Sequence, residues 1–142
     1  MAIFFGGEEV EAVLFSPLQG KLTFEGKPAS GAKINLRIKW KDLEGETFSY
    51  TADDDGRFSI PQHTAIYKQN AISQLVILQK IMVEYRNNAY EVWHFSKMEP
   101  EIFTELGGKP NNVICELTSE LTTTRGHGSL GGVACTWDSL EG

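Results

Sequence analysis

Three carboxylates stand in a row in TADDDGRFSIP, residues 51–61, ahead of a glycine and an arginine. A calcium loop of the EF-hand type needs oxygen ligands at its first, third, fifth and twelfth residues, with glycine sixth. With Gly56 as the sixth residue, Asp53 and Asp55 fit, but Thr51 stands first and Gln62 twelfth, so both strong anchors are missing. The flanks alternate apolar and polar residues. Asp-Gly between such runs is a turn signal, since glycine accepts positive φ without steric cost. The stretch reads as a tight turn in which Asp53 and Asp54 keep the loop solvated, with a weak cation site at Asp53 and Asp55 as the alternative.

Other chemistry-bearing residues are scattered. His63, His94 and His127 lie about thirty residues apart without paired ligand spacing, and each reads as a surface or half-buried residue. In RGHGSLGG, residues 125–132, Gly126, Gly128 and Gly131 match GxGxxG, but no room follows for the helix, second strand and acidic residue of a dinucleotide site. Ser129 has His127 where a nucleophile elbow needs glycine, so the segment reads as a flexible loop. Cys115 and Cys135 belong to no CxxC pair, which argues against zinc. No catalytic residue, metal or cofactor is expected.

Binding is the remaining chemistry. The 142 residues carry 13 cations and 19 anions, a net charge of −6. That balance argues against nucleic acid and anionic membranes, which need a basic footprint. Yet residues 21–41 hold six of the cations and only one anion, Glu25. Lys33, Arg37, Lys39 and Lys41 share one parity there, a wet basic face whose plain reading is a solvated edge that discourages aggregation. Tyr90, Trp93, His94 and Phe95 are consecutive enough in a strand that a bulky ring could stay outside. The candidate partner-binding residues are therefore Lys33, Arg37, Lys39, Lys41, Trp93 and His94, and the expected partner is another protein. Coverage of both faces of the aromatic run is the competing reading.

These residues need elements to place them. Ala32, Ile34, Leu36, Ile38 and Trp40 alternate with Lys33, Asn35, Arg37, Lys39 and Lys41, which predicts a strand with one buried face. After a turn at Leu43–Gly45, Phe48 and Tyr50 predict an antiparallel second strand, and Phe58 and Ile60 a third that Pro61 ends; the three read as a meander. Leu75–Val83 and Tyr90–Phe95 flank Asn87 and Asn88, a hairpin tip. Ile66–Gln79 is open between helix and strand. Glu99–Leu106 is predicted helical, with Pro100 in the first turn and Gly107 and Gly108 at the end. Val113–Leu117 and Val133–Trp137 close the list as strands. Their parity turns Cys115 and Cys135 inward, compatible with a disulfide or with buried free thiols.

No stretch reaches the roughly 18 apolar residues of a membrane span. MAIFFGGEEVEAVLF lacks the basic start and unbroken apolar core of a secretory signal. The chain as written is expected to be cytoplasmic, or periplasmic if a leader was removed or the cysteines are oxidised. Its length suits one domain over residues 1–142, with a core at 14–61 and the remaining strands, short helix and C-terminal extension over 62–142.

The run FSPLQGKLTFEGKPASGAKINLRIKW followed by TADDDGRFSIP resembles the carboxypeptidase regulatory-like group of transthyretin-type β-sandwiches. The resemblance covers about residues 14–61 and implies a mainly β, antiparallel sandwich with one or two short helices. The hydrolases of that superfamily carry a Tyr-Arg-Gly-Ser signature that TWDSLEG, residues 136–142, does not show. ELGGKP and ICELT are similar to a bacterial family found among accessory or immunity genes for toxins of type VI secretion. That resemblance implies a non-enzymatic module binding a bacterial toxin; a carbohydrate- or cell-surface-binding module is the alternative, to be distinguished by Trp93.

Overall fold

Alternating apolar residues have only one economical outcome here, strands that each bury one face. The computed structural model describes residues 9–68, 75–126 and 129–142, and every regular element among them is a strand. In chain order these are β1 (Glu9–Phe15), β2 (Leu18–Phe24), β3 (Lys27–Pro28), β4 (Lys33–Lys39) and β5 (Glu46–Thr51). Then come β6 (Arg57–Ile60), β7 (His63–Lys68), β8 (Ile77–Tyr85), β9 (Asn88–Lys97) and β10 (Lys109–Asn111). The last are β11 (Val113–Glu116), β12 (Thr122–Gly126), β13 (Ser129–Val133), β14 (Cys135–Thr136) and β15 (Ser139–Glu141).

The architecture is a mainly β sandwich. One sheet has six antiparallel strands in the order β12-β13-β9-β8-β4-β5. The other has β14-β11-β2-β3, with β6 also paired to β2; two ribbons, β1-β7 and β10-β15, complete it. Ile34, Leu36, Ile77, Val83 and Phe95 of the larger sheet share one core with Leu22, Phe58, Ile60, Val113 and Cys115 of the smaller. Strands β2 and β11 run parallel, with Cys115 beside Leu22, a pairing of segments some ninety residues apart that local pattern does not reveal. Cys115 and Cys135 also face each other across β11 and β14 and are joined as a disulfide.

Three expectations are corrected. The meander stops after β4 and β5, because β6 crosses to the other sheet and pairs with β2, Lys21 opposite Arg57. Residues 102–107 form turns, and no residue of 99–106 is helical. Their backbone groups are claimed by side chains that a helix would have excluded. Lys97 Nζ donates to the carbonyls of Val13, Glu99 and Glu101, the Phe103 amide donates to Ser16 Oγ, and Phe103 itself takes φ +60°. Third, the threonine- and glycine-rich segment forms the β12–β13 pair, with Gly131 packed so closely on β9 that a Cβ would collide with the His94 carbonyl oxygen. His127 lies outside the described residues, as do residues 69–74 of the segment left open between helix and strand; its flanks, β7 and β8, are strands.

The acidic turn is a built corner. Asp53 Oδ1 accepts from the amides of Asp55 and Arg57, both at 2.9 Å, and the Gly56 amide donates to the Asp53 carbonyl. Gly56 has φ +76°, and a Cβ on it would lie 2.5 Å from the Leu22 carbonyl oxygen. Asp53 thus shapes the turn that starts β6, a role beyond keeping the loop solvated. The hairpin between β8 and β9 turns through Arg86 and Asn87, both at positive φ, so its tip lies one residue earlier than Asn87–Asn88.

Candidate binding face

The outer face of the six-stranded sheet collects most of the residues picked out by pattern. Across β5, β4, β8 and β9, Thr47, Arg37, Lys80 and His94 form one cross-strand row. A parallel row holds Lys39, Leu78, Ser96, Leu130 and Arg125 across β4, β8, β9, β13 and β12. Lys33, Arg37 and His94 are exposed and Lys39 half-exposed. Strand β4 lies between β5 and β8, so its cations do not guard a sheet edge; they stand one strand in from it, on the outer face.

Charge on this face is unevenly matched. Lys33 pairs with Glu84 at 3.7 Å, Lys80 with Glu91 at 3.2 Å, and His94 Nδ1 lies 3.8 Å from Glu91. Arg37 donates to Thr47 Oγ1 and to the Glu44 carbonyl, which fixes its guanidinium along the β4–β5 turn. Among the described residues Lys39, Lys41 and Arg125 form no ion pair. Lys41 lies over the Trp40 ring, 5.9 Å from its centre.

Apolar side chains interrupt the same face. Leu78 is 39% exposed, Leu130 43%, and Leu43, at the tip of the β4–β5 hairpin, 93%. A notch of about 370 Å³ runs between Lys39, Lys41, Leu43, Val76 and Leu78. The outer layer of an antiparallel sheet is ordinarily polar. Exposed leucines on either side of Ser96, flanked by cations without an ion pair among the described residues, are an arrangement suited to docking.

Trp93 does not belong to it, contrary to expectation. The β8–β9 register slips so that Ile81 faces Trp93 while Met82 faces Glu91, leaving Val92 as the extra residue of a bulge. The slip turns both Val92 and Trp93 inward; Trp93 is 3% exposed, packs against Phe15 and Phe95, and donates its Nε1–H to Gln79 Oε1 at 2.9 Å. The carbohydrate-binding alternative relied on that ring being outside. Leu78, Lys80, Leu130 and Arg125 were not singled out by pattern, although ILQKIMVEY does alternate, and Ile77, Ile81 and Val83 facing in require Leu78 and Lys80 to face out.

Beneath this face lies a buried polar cluster. Lys97 is fully buried, and all three of its ammonium donors meet backbone carbonyls. Burial pushes its pKa down, and Glu105, Glu101 and Glu99 pull it back up. Glu105 accepts from the Ser16 amide and hydroxyl and from Gln79 Nε2 at 2.7–3.0 Å. His63 is half-buried, stacked on Phe48 and hydrogen-bonded to the Tyr50 hydroxyl at 2.7 Å; burial lowers its pKa, with Glu46 acting the other way. Ser129 is buried within β13, opposite Lys97 on β9, which is no exposed elbow.

The chain belongs to a family known as a domain of unknown function (DUF6795), whose model matches residues 18–120, from β2 to just beyond β11. No curated protein and no solved structure matches it. Among the described residues no helix is long and apolar enough to cross a membrane.

Proposed function

We propose that this chain is a non-enzymatic protein-binding module whose docking surface is the outer face of the six-stranded sheet. The observation that carries the reading is the pair of exposed leucines, Leu78 and Leu130, on either side of Ser96 in a row that ends in Lys39 and Arg125, on a face that an antiparallel sheet ordinarily keeps polar. The partner it fits presents an apolar ridge with acidic groups beside it. Desolvating the leucines supplies affinity, and the cations set orientation and encounter rate. The toxin-immunity resemblance carried by ELGGKP and ICELT makes this partner a secreted antibacterial toxin, with this chain as its immunity or accessory protein. The disulfide is compatible with an oxidising compartment and favours a periplasmic setting.

The test is co-expression with a toxin encoded beside this gene. Wild-type chain should copurify with the toxin and protect cells. The pair Leu78→Glu and Leu130→Glu should lose both, while thermal stability stays within about 0.5 kcal/mol per site because both positions are exposed. Unchanged copurification and protection by the double variant would sink this assignment of the surface. Survival of toxin-expressing cells lacking this chain would sink the immunity role.

A further inference from the structure

The smaller sheet carries a second, unrelated feature: Lys21 on β2 stands directly opposite Arg57 on β6. Like charges at directly opposed strand positions destabilise a sheet, and a protein with net charge −6 has ample carboxylates with which to avoid the arrangement. None is used. Arg57 follows three aspartates, yet Asp53 Oδ1 is committed to backbone amides, and among the described residues neither Lys21 nor Arg57 forms an ion pair. Glu116, further along the same face of β11, is likewise committed, to Thr23, Thr118 and the amides of Glu25 and Gly26.

Lys21 and Arg57 open onto a groove of about 640 Å³ between β2–β6 and the β10–β11 segment. Lys109 adds a third cation and Gln19 an amide; Asn111 and Asn112 line it too, with their amide nitrogens donating to Ser139 Oγ and Asp138 Oδ2, and among the described residues no carboxylate lines it. Lys109 lies opposite Glu141 in the β10–β15 pair without an ion pair among the described residues. The turn at Asp53–Gly56 holds the Arg57 backbone at both its amide and its carbonyl, so the guanidinium is launched from a fixed point. Its volume falls within the range of small-ligand sites, and the charge in its lining is cationic.

We propose that this groove binds a small polyanion, carrying phosphate or carboxylate groups, which bridges Lys21 and Arg57 and relieves their repulsion. The site lies on the other sheet from the proposed docking face and stands or falls independently of it. Paired cations with fork-like arginine geometry recognise such oxygens through charge-assisted hydrogen bonds.

The experiment is an amide-shift titration of the intact chain with inorganic pyrophosphate and, separately, citrate, at matched ionic strength. Saturable shifts centred on Lys21, Arg57 and Asn112 are expected, and the tighter of the two anions identifies the charge chemistry. Arg57→Gln and Lys21→Gln should each weaken binding about tenfold, whereas Lys33→Gln on the other sheet leaves it unchanged. Without anion, Lys21→Gln should raise Tm by about 2 °C as the repulsion disappears. Shifts that stay linear to about 10 mM with both anions, equal weakening by Lys33→Gln, or a lower Tm for Lys21→Gln would overturn the proposal.

Discussion

Lys97 and Lys39 stand on strands of the same sheet, one turned into the sandwich and the other out of it. Inside, every donor of Lys97 is matched by a carbonyl, and Glu105, Gln79, Ser16 and Trp93 close a network around it. Outside, Lys39, Lys41 and Arg125 have no ion-pair partner among the described residues and flank exposed leucines. The difference separates two uses of charge. A buried ion must be fully satisfied or the fold does not hold, so its partners are fixed by the chain itself. An exposed cation costs little when unpaired, which leaves it available to a partner.

The comparison breaks most readily at Glu105. Glu105→Ala strips the Ser16 and Gln79 donors of their acceptor and removes a countercharge from Lys97. We expect a loss of about 3–5 kcal/mol in urea unfolding. A loss under about 1 kcal/mol would mean that the interior cluster is no more demanding than the surface.

Next in size is the disulfide, which links residues 20 apart. Closing a loop of that length constrains the unfolded chain by about 3 kcal/mol, so the reduced protein should unfold at a visibly lower temperature in calorimetry. Because the bond fixes β11 to β14 and leaves the six-stranded face untouched, the chemical shifts of Lys39 and Leu78 should survive mild reduction.

Glu116 sharpens the contrast from the surface side. Burial opposes its ionisation, but the Thr118 hydroxyl and amide and the amides of Gly26 and Glu25 outweigh that and bring its pKa down to about 2, from an ordinary 4.5. A depressed folded value means that the stabilisation is complete above about pH 4.5 and is lost as pH falls towards 2. Stability should therefore decline through that window, and Glu116→Gln should flatten the decline while lowering stability at pH 7 by about 1 kcal/mol, a figure kept small by partial solvation. An unchanged acid profile in the variant would remove Glu116 from the cause. Smallest of all is Leu78→Glu, near zero in stability and large only in binding.

Much of this was readable from the chain. Strands β4, β5, β6 and β9, the turn at Gly56 and the inward parity of both cysteines follow from alternation and turn chemistry, which act over a few residues. The basic parity of Lys33, Arg37 and Lys39 put three candidate residues on one real face. Trp93 was misplaced because a bulge changes parity without leaving a mark in residue type. The turns that replace the helix over 99–106 leave no local mark because two of their backbone groups are held from more than eighty residues away, the Phe103 amide by Ser16 Oγ and the Pro100 carbonyl by the Val13 amide.

Sequence alone determined that this protein is built of strands with one greasy side, where several of them turn, and which cations share a side, since period two and glycine φ are local properties of the chain. Tertiary structure decided which strands meet: β6 beside β2, β11 parallel to β2, and the leucines of β8 and β13 aligned with Lys39 and Arg125. Pairing joins segments far apart in the chain through backbone groups that every residue carries alike, so no residue type announces its partner.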